Sequence, residues 1–223
     1  MAGGLPHGRS KERLRFMLPA EIQFGYNKYY CGNKVWVSNE AGTEAVRQPD
    51  RSTNNGVVYS EKPVKGRVEF EVEITSHSLE YSGNIRLGIM SHKPSEPFDL
   101  SKIPFSCTWK APYHCIWAGS LLYNNIARSI APRSEGRSYG KKSLEDLRKG
   151  DRVGILLMEN GELHFLINGE PQGKAASGIY ERAYDVYIVV DHFADCKGLH
   201  TRATSCLVYE GLKGTHITRA IEC

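Results

Sequence analysis

The stretch that most constrains this 223-residue chain is 151–173, DRVGILLMENGELHFLINGEPQG. Val153, Ile155 and Leu157 alternate with Gly154, Leu156 and Met158. After Asn160-Gly161 the pattern resumes with Leu163, Phe165 and Ile167, and Asn168-Gly169 follows. A two-residue type I′ turn needs φ > 0 at both central positions, which Asn-Gly tolerates well. The stretch therefore predicts a hairpin closed at Asn160-Gly161, with the turn signal repeated at Asn168-Gly169. Both arms carry apolar residues on both faces near their middle. That places the pair inside a sandwich, covered on each side.

The run 68–74 is the cleanest period-two pattern. Val68, Phe70, Val72 and Ile74 alternate with Glu69, Glu71 and Glu73. A helix would scatter the four apolar residues, whereas a strand puts them on one face. The glutamate face is expected in water, with cross-strand Lys or Arg partners to offset its repulsion.

Similar patterns mark strands at 35–37, 43–47, 57–60, 84–90 (Ile85, Leu87 and Ile89 on one face), 113–122, 184–190 and 201–209. Ile22, Phe24 and Tyr26 suit a first strand. The stretch 91–112 holds four prolines and reads as an ordered loop. Ser143, with Asp146 three residues on, offers a short capping pattern for one helical turn over 143–149. Residues 191–198 read as a turn region. Ten to twelve short strands with regular turn signals imply an all-β, antiparallel β-sandwich.

Composition narrows the class. The chain carries a net charge of +4, and no apolar run is long enough to span a membrane. The N-terminus lacks the apolar segment of a secretory signal, which points to a cytoplasmic protein. Six cysteines contain no C-x-x-C pair, so the paired ligands of a zinc ribbon or RING are missing. Reduced thiols are expected. Between Arg128 and Arg152 stand eight basic and four acidic residues. This loop reads as a solvated surface or, alternatively, as a polyanion site using Arg137, Lys141 and Lys142, with support from the arm around Arg9 to Arg15.

No nucleophile elbow, phosphate-cradling loop or H-E-x-x-H motif is present. His192, Cys196 and His200 are four apart, but they follow a strand and include Gly198 in their span, so incidental placement outweighs a metal site. Asp191 reads as a turn or cap residue, with a catalytic base as the sharper alternative. Trp36, Trp109 and Trp117 read as core, with Trp109 the most exposed. No catalytic residue, metal or cofactor is expected.

Several blocks in order resemble a neuralized homology repeat (NHR) domain. They are GNKVWVS, A-V-R, NNGVVYSEKPVKG, FEVEI and YSGNIRLGI, then LRKGDRVGILLMENGELHFLINGEPQG and YDVYIVVDHFADCKGLH. The resemblance runs from Phe24 to His200. It implies a sandwich related to SPRY and lectin-like sheets, and a protein-binding module that recruits substrates to ubiquitin ligases. Tyr81 stands where the family often has Trp in a W-S-G block. A single repeat with a loop-rich insertion at 91–142 is similar to the small neuralized-like adaptors that end in a SOCS box. That box carries a Leu and a Cys four apart, whereas here Leu212 is followed at that spacing by His216, so the full box is absent or not recognisable.

These readings give an organisation: a flexible arm at 1–20, the sandwich at 21–210 and a tail at 211–223. They imply a non-catalytic protein-interaction module, a substrate-recognition adaptor in ubiquitination. Its partner would be a protein or peptide, with elongin and cullin components reached through the tail. Nucleic acid is not expected, and peripheral membrane contact belongs to the polyanion alternative. Binding is expected at loops of one sandwich end. The candidates are Arg51, Asn54 and Asn55, then Tyr81, Ser82 and Asn84, with Trp109, Asp191 and His192.

Overall fold

The computed structural model describes residues 20–21, 25–28, 31–38, 40–48, 55–76, 85–91, 114–118, 120–123, 126–128, 139–179, 185–192 and 200–209. The described residues form fourteen strands. They are β1 (Ala20–Glu21), β2 (Val35–Val37), β3 (Glu44–Arg47), β4 (Val57–Tyr59), β5 (Arg67–Ser76), β6 (Ile85–Met90) and β7 (His114–Ala118). Then come β8 (Ser120–Tyr123), β9 (Ile126–Arg128), β10 (Arg152–Leu157), β11 (Leu163–Ile167), β12 (Glu170–Ala176), β13 (Tyr187–His192) and β14 (His200–Tyr209). One sheet has eight strands in the order β12-β11-β10-β5-β14-β3-β2, with β1 also paired to β14. The other has six, in the order β4-β13-β6-β7-β8-β9. All strand pairs are antiparallel.

Period two decides which side chains meet between the sheets. Val68, Phe70, Val72 and Ile74 of β5 join Val153, Ile155 and Leu157 of β10 and Leu163, Phe165 and Ile167 of β11. From the six-stranded sheet come Val58, Ile85, Leu87, Ile89, Cys115, Trp117, Ile188 and Val190. Burying each large aliphatic or aromatic chain stabilises the fold by about 1.5–3 kcal/mol. Trp117 packs against Tyr139 edge-on at 5.3 Å and against Phe165 at 5.6 Å. The Tyr139 hydroxyl donates to the Gly173 carbonyl at 2.5 Å and accepts from the Phe165 amide at 3.3 Å. The Phe165 amide lies where the β11–β12 register shifts, so this contact satisfies a donor that a bulged ladder neglects.

The predicted hairpin is present, with its two turns exchanged. Asn168 (φ 52°) and Gly169 (φ 78°) both have positive φ, and Ile167 pairs with Glu170. That is the two-residue turn. Between β10 and β11 only Gly161 (φ 76°) is left-handed. There the Gly161 amide donates to the Met158 carbonyl and the Met158 amide to the Glu162 carbonyl. The loop is a three-residue type with glycine in the αL position, because the Asn160 side chain accepts from the Glu162 amide and fixes a local turn of its own.

Other expectations need correction. The strand expected at 113–122 is a hairpin: Ala118 pairs with Ser120 and Cys115 with Tyr123. The helical turn shrinks to a 3-10 turn, Leu144–Asp146, in which the Ser143 side chain accepts from the Glu145 amide and the Ser143 carbonyl accepts from the Asp146 amide. Asp191 and His192 belong to β13, not to a turn. Trp36 is 43% exposed on edge strand β2, against a core reading, whereas Trp117 is fully buried. Ile22, Phe24 and Trp109 lie outside the described residues.

The glutamate face is not uniformly wet. Glu69 and Glu73 are half-buried, but Glu71 is only 4% exposed. Its carboxylate accepts from the Gly169 amide at 2.9 Å and meets Arg152 at 3.4 Å. Gly154, opposite Glu71 on β10, makes this geometry possible. A β-carbon there would stand 2.6 Å from the Glu71 Cγ and would collide with the Phe70 carbonyl. Register also places Arg152 opposite Glu73, and its guanidinium reaches Glu71 at 3.4 Å. Strand β10 thus supplies a basic partner to this face.

Two outcomes follow. Gly154→Ala must part β10 from β5, so urea unfolding should show a loss of about 1–3 kcal/mol. A midpoint equal to that of the parent would contradict the close approach. Burial pushes the Tyr139 hydroxyl up to about 12, above the ordinary tyrosine value of ~10. Its contribution is complete below the unfolded value and is lost as pH rises through the folded one. Alkaline unfolding curves should therefore flatten in Tyr139→Phe relative to the parent.

Candidate functional site

The strand ends at one end of the sandwich are held by an unusual buried arginine. Ala45 of β3 faces the core, and period two turns Arg47 to the same side. Arg47 has no exposure, and its Nη1 donates to the His192 carbonyl at 2.6 Å. The bond crosses from the eight-stranded sheet to the end of β13 in the six-stranded one. A buried guanidinium is costly unless its donors are satisfied. Here a carbonyl at a strand end, where the ladder stops, supplies an acceptor.

Gly56 fits between these groups. A β-carbon at Gly56 would collide with both Arg47 Nη1 and the His192 carbonyl. The Gly56 carbonyl in turn accepts from the His192 amide at 2.9 Å and lies 3.1 Å from His192 Nδ1. Asn55, just before it, takes φ 64°, a left-handed conformation that asparagine tolerates better than most residues. Its carbonyl accepts from the Lys34 amide at 3.1 Å, and the Gly32 amide donates to the Val57 carbonyl at 2.8 Å. Gly32 is pressed against the Asn55 backbone with no room for a side chain. Backbone 31–34, 55–57 and the end of β13 thus lock together.

Asp191 points the other way from His192, onto the outer face of the six-stranded sheet. It sits in register between Val57 of β4 and Arg86 of β6 and is fully buried. Beside it lies an apolar cluster of Val57, Tyr59, Met90, Ile116 and Val189. Burial, and after it the Asp191 carboxylate, pushes the Tyr59 hydroxyl well above the ordinary tyrosine value. Tyr59 is therefore a neutral phenol at physiological pH, with no nucleophilic character.

The sequence candidates fall into three groups. Asn55, Asp191 and His192 come together at this end. Arg51, Asn54, Tyr81, Ser82 and Asn84 lie outside the described residues, as do Trp109 and Arg137. The described residues that flank 49–54, 77–84 and 193–199 share one end, however: His192 pairs with Ile85, and His200 pairs with Val46 and Ser76. Trp109 is flanked instead by Met90 and His114, which pair with each other at the far end of β6. Lys141 and Lys142 are elsewhere. Their backbone amides donate to Gln172 Oε1 at 3.0 and 3.1 Å, along the edge strand β12. Lys142 Nζ stands 4.0 Å from Glu170.

Sequence reading missed Arg47, Gly56 and Gly32. The available signal was the register of Ala45-Val46-Arg47, which turns a charge inward beside an apolar residue. Among the described residues no group of three or more His, Cys, Asp or Glu is placed to hold a metal ion. What the arrangement offers is a rigid frame of strand ends from which several connections leave together.

A family model described as Neuralized matches residues 28–201. The chain is 24% identical over 204 residues to Neuralized-like protein 2 of Mus musculus, across 71% of this chain and 70% of that protein. The crystal structure of the Drosophila melanogaster neuralized NHR1 domain is similar with a TM-score of 0.50 and 19% identity, over 82% of this chain and 96% of that one. The SPRY domain of human HERC1 is similar with a TM-score of 0.51 and 17% identity, over 81% of this chain and 98% of that one. At these identities the two structures speak for the fold, an NHR- and SPRY-like sandwich.

Removing the buried guanidinium strands the His192 carbonyl and opens a cavity. Arg47→Ala should lower stability by roughly 2–4 kcal/mol in urea unfolding, and Arg47→Met by less because it keeps the apolar stem. A loss under about 0.5 kcal/mol for Arg47→Ala, the size of a neutral surface change, would mean that the cross-sheet bond stabilises nothing.

Proposed function

We propose that this chain, which belongs to the Neuralized family, is a non-catalytic recognition module that holds a protein or peptide partner at the Asn55/His192 end of the sandwich. The observation that carries the reading is convergence. Connections around 49–54, 77–84 and 193–199 leave a single rigid frame built by Arg47, Gly56 and His192. Binding residues are commonly presented this way, by loops anchored on a stiff sheet. Family membership supports a further step, that the module selects substrates for a ubiquitin ligase. On that reading the tail at 211–223 reaches elongin and cullin components.

The polyanion alternative draws on Lys141 and Lys142, and their surroundings weaken it. Lys142 faces Glu170, and both backbones are engaged by Gln172 along a sheet edge. A patch of that kind predicts binding that falls steeply with salt.

The test compares the two ends. Arg51→Ala with Tyr81→Ala, in the connections 49–54 and 77–84, should reduce partner capture about tenfold or more. Glu162→Ala with Lys174→Ala, beside the opposite turn, should leave capture unchanged. Equal capture by both double variants would overturn the assignment of the binding end. Elongin and cullin co-purification with the full chain, and its loss in residues 1–210, supports the ligase step. Absence of these proteins with both would remove that step and leave the binding module standing. Ubiquitin transfer by the purified chain and a charged conjugating enzyme alone would end the non-catalytic reading.

A further inference from the structure

The turn between β11 and β12 holds an Asn-Gly dipeptide whose side chain and following amide are hydrogen-bonded. An asparagine followed by glycine is chemically labile because the next backbone nitrogen reaches the side-chain amide with no β-carbon in the way. In that reaction the Gly169 nitrogen loses its proton to solvent and attacks Asn168 Cγ. The new C–N bond closes a cyclic imide, and the Asn168 side-chain nitrogen leaves as ammonia. Water then opens the ring at either carbonyl, giving Asp or an isoaspartyl linkage. The net change is amide plus water to acid plus ammonia.

Every atom that must move is tied down. The Gly169 amide donates to Glu71 Oε1 at 2.9 Å. Asn168 Oδ1 accepts from the Arg152 amide at 2.7 Å, and Asn168 Nδ2 donates to Asp151 Oδ1 at 2.9 Å. Glu71 is 4% exposed and is also paired with Arg152 at 3.4 Å. A hydrogen bond to a carboxylate is about twice as strong as one to a neutral carbonyl. The second Asn-Gly pair gives an internal contrast. The Gly161 amide is held only by the neutral Met158 carbonyl, and Asn160 is held through Oδ1 alone, by the Glu162 amide. Asn168 itself is exposed, so water reaches it and burial does not shield it.

We propose that Asn168-Gly169 is a latent deamidation site, kept closed by the Glu71 carboxylate of the neighbouring strand and opened when that corner of the sheet releases. The product carries a new negative charge beside Glu71 and Asp151. An isoaspartyl linkage also lengthens the backbone of a two-residue turn. Either product opposes re-formation of the Gly169–Glu71 bond, so each release that reacts leaves a permanent mark.

The experiment ages the full-length folded protein in mildly alkaline buffer and follows tryptic peptide 153–174, which carries both asparagines, by mass spectrometry with fragment localisation. In the parent, Asn160 should convert faster than Asn168. In guanidinium-unfolded chain the two rates should converge. Glu71→Gln keeps the shape and removes the charge, and should accelerate Asn168 about tenfold or more while leaving Asn160 unchanged. Should Glu71→Gln fail to fold, Arg152→Gln frees the carboxylate from its ion pair without touching the turn, and it should shift the Asn168 rate relative to Asn160 in the folded protein. Equal conversion of Asn168 in folded and unfolded parent, or a ratio that neither variant moves, would overturn the proposal.

Discussion

The hydrogen bond from Arg47 to the His192 carbonyl joins two sheets whose facing sides, among the described residues, are largely apolar. Apolar packing sets how near the sheets come, but it is weakly directional. A planar guanidinium is strongly directional. One such contact, at the end where several connections leave, fixes how the ends of β3, β4 and β13 sit relative to one another. It also dictates sequence nearby: Gly56 must lack a side chain because the arginine and a carbonyl occupy that space. If this end binds a partner as proposed, its frame is already in place, so less ordering remains on binding.

The eight-stranded sheet solves a related problem on its outer face. Alternating Val, Phe and Ile with Glu would give a dry and a wet side, yet Glu71 is drawn under cover by a turn amide and an arginine. Gly154 gives up its side chain so that the glutamate can lie across β10. Glycines 56 and 154 thus play one role in the two sheets. Each cedes volume to a long polar chain from a neighbouring strand.

Much of this architecture was legible in the residues. The runs 68–74 and 151–173 declare strands because period two survives through each, and they do pair with one another in the middle of a sheet. The family blocks were legible for the same reason, since they are the buried strands with their turns. The exchange of turn types was not legible, because Asn-Gly suits both a two-residue loop and the αL position of a longer one. The choice lay with the Asn160 side chain, which caps Glu162, and with Glu71, which is far away in sequence. The frame of the candidate site was missed for a similar reason. Asp191 and His192 look like turn residues beside a short apolar run, and only pairing with β4 and β6 extends the strand through them. The inward charge at Arg47 violates local pattern, and it does so at the end proposed for binding.

The position of β14 has a consequence for how the chain comes into being. In the sheet it lies between β5 and β3, yet it is the last of the described strands to be synthesised. Until residues 200–209 are available, β5 has no neighbour on that flank, and β2 and β3 have no sheet to join. A nascent chain several strands long therefore carries an open seam through what will be the centre of its larger sheet. Pairings so distant in sequence form slowly, and unpaired strand edges are where foreign chains add. The interval of greatest exposure to misassembly thus falls late in synthesis, after most of the core residues have been made, and it ends with a single strand.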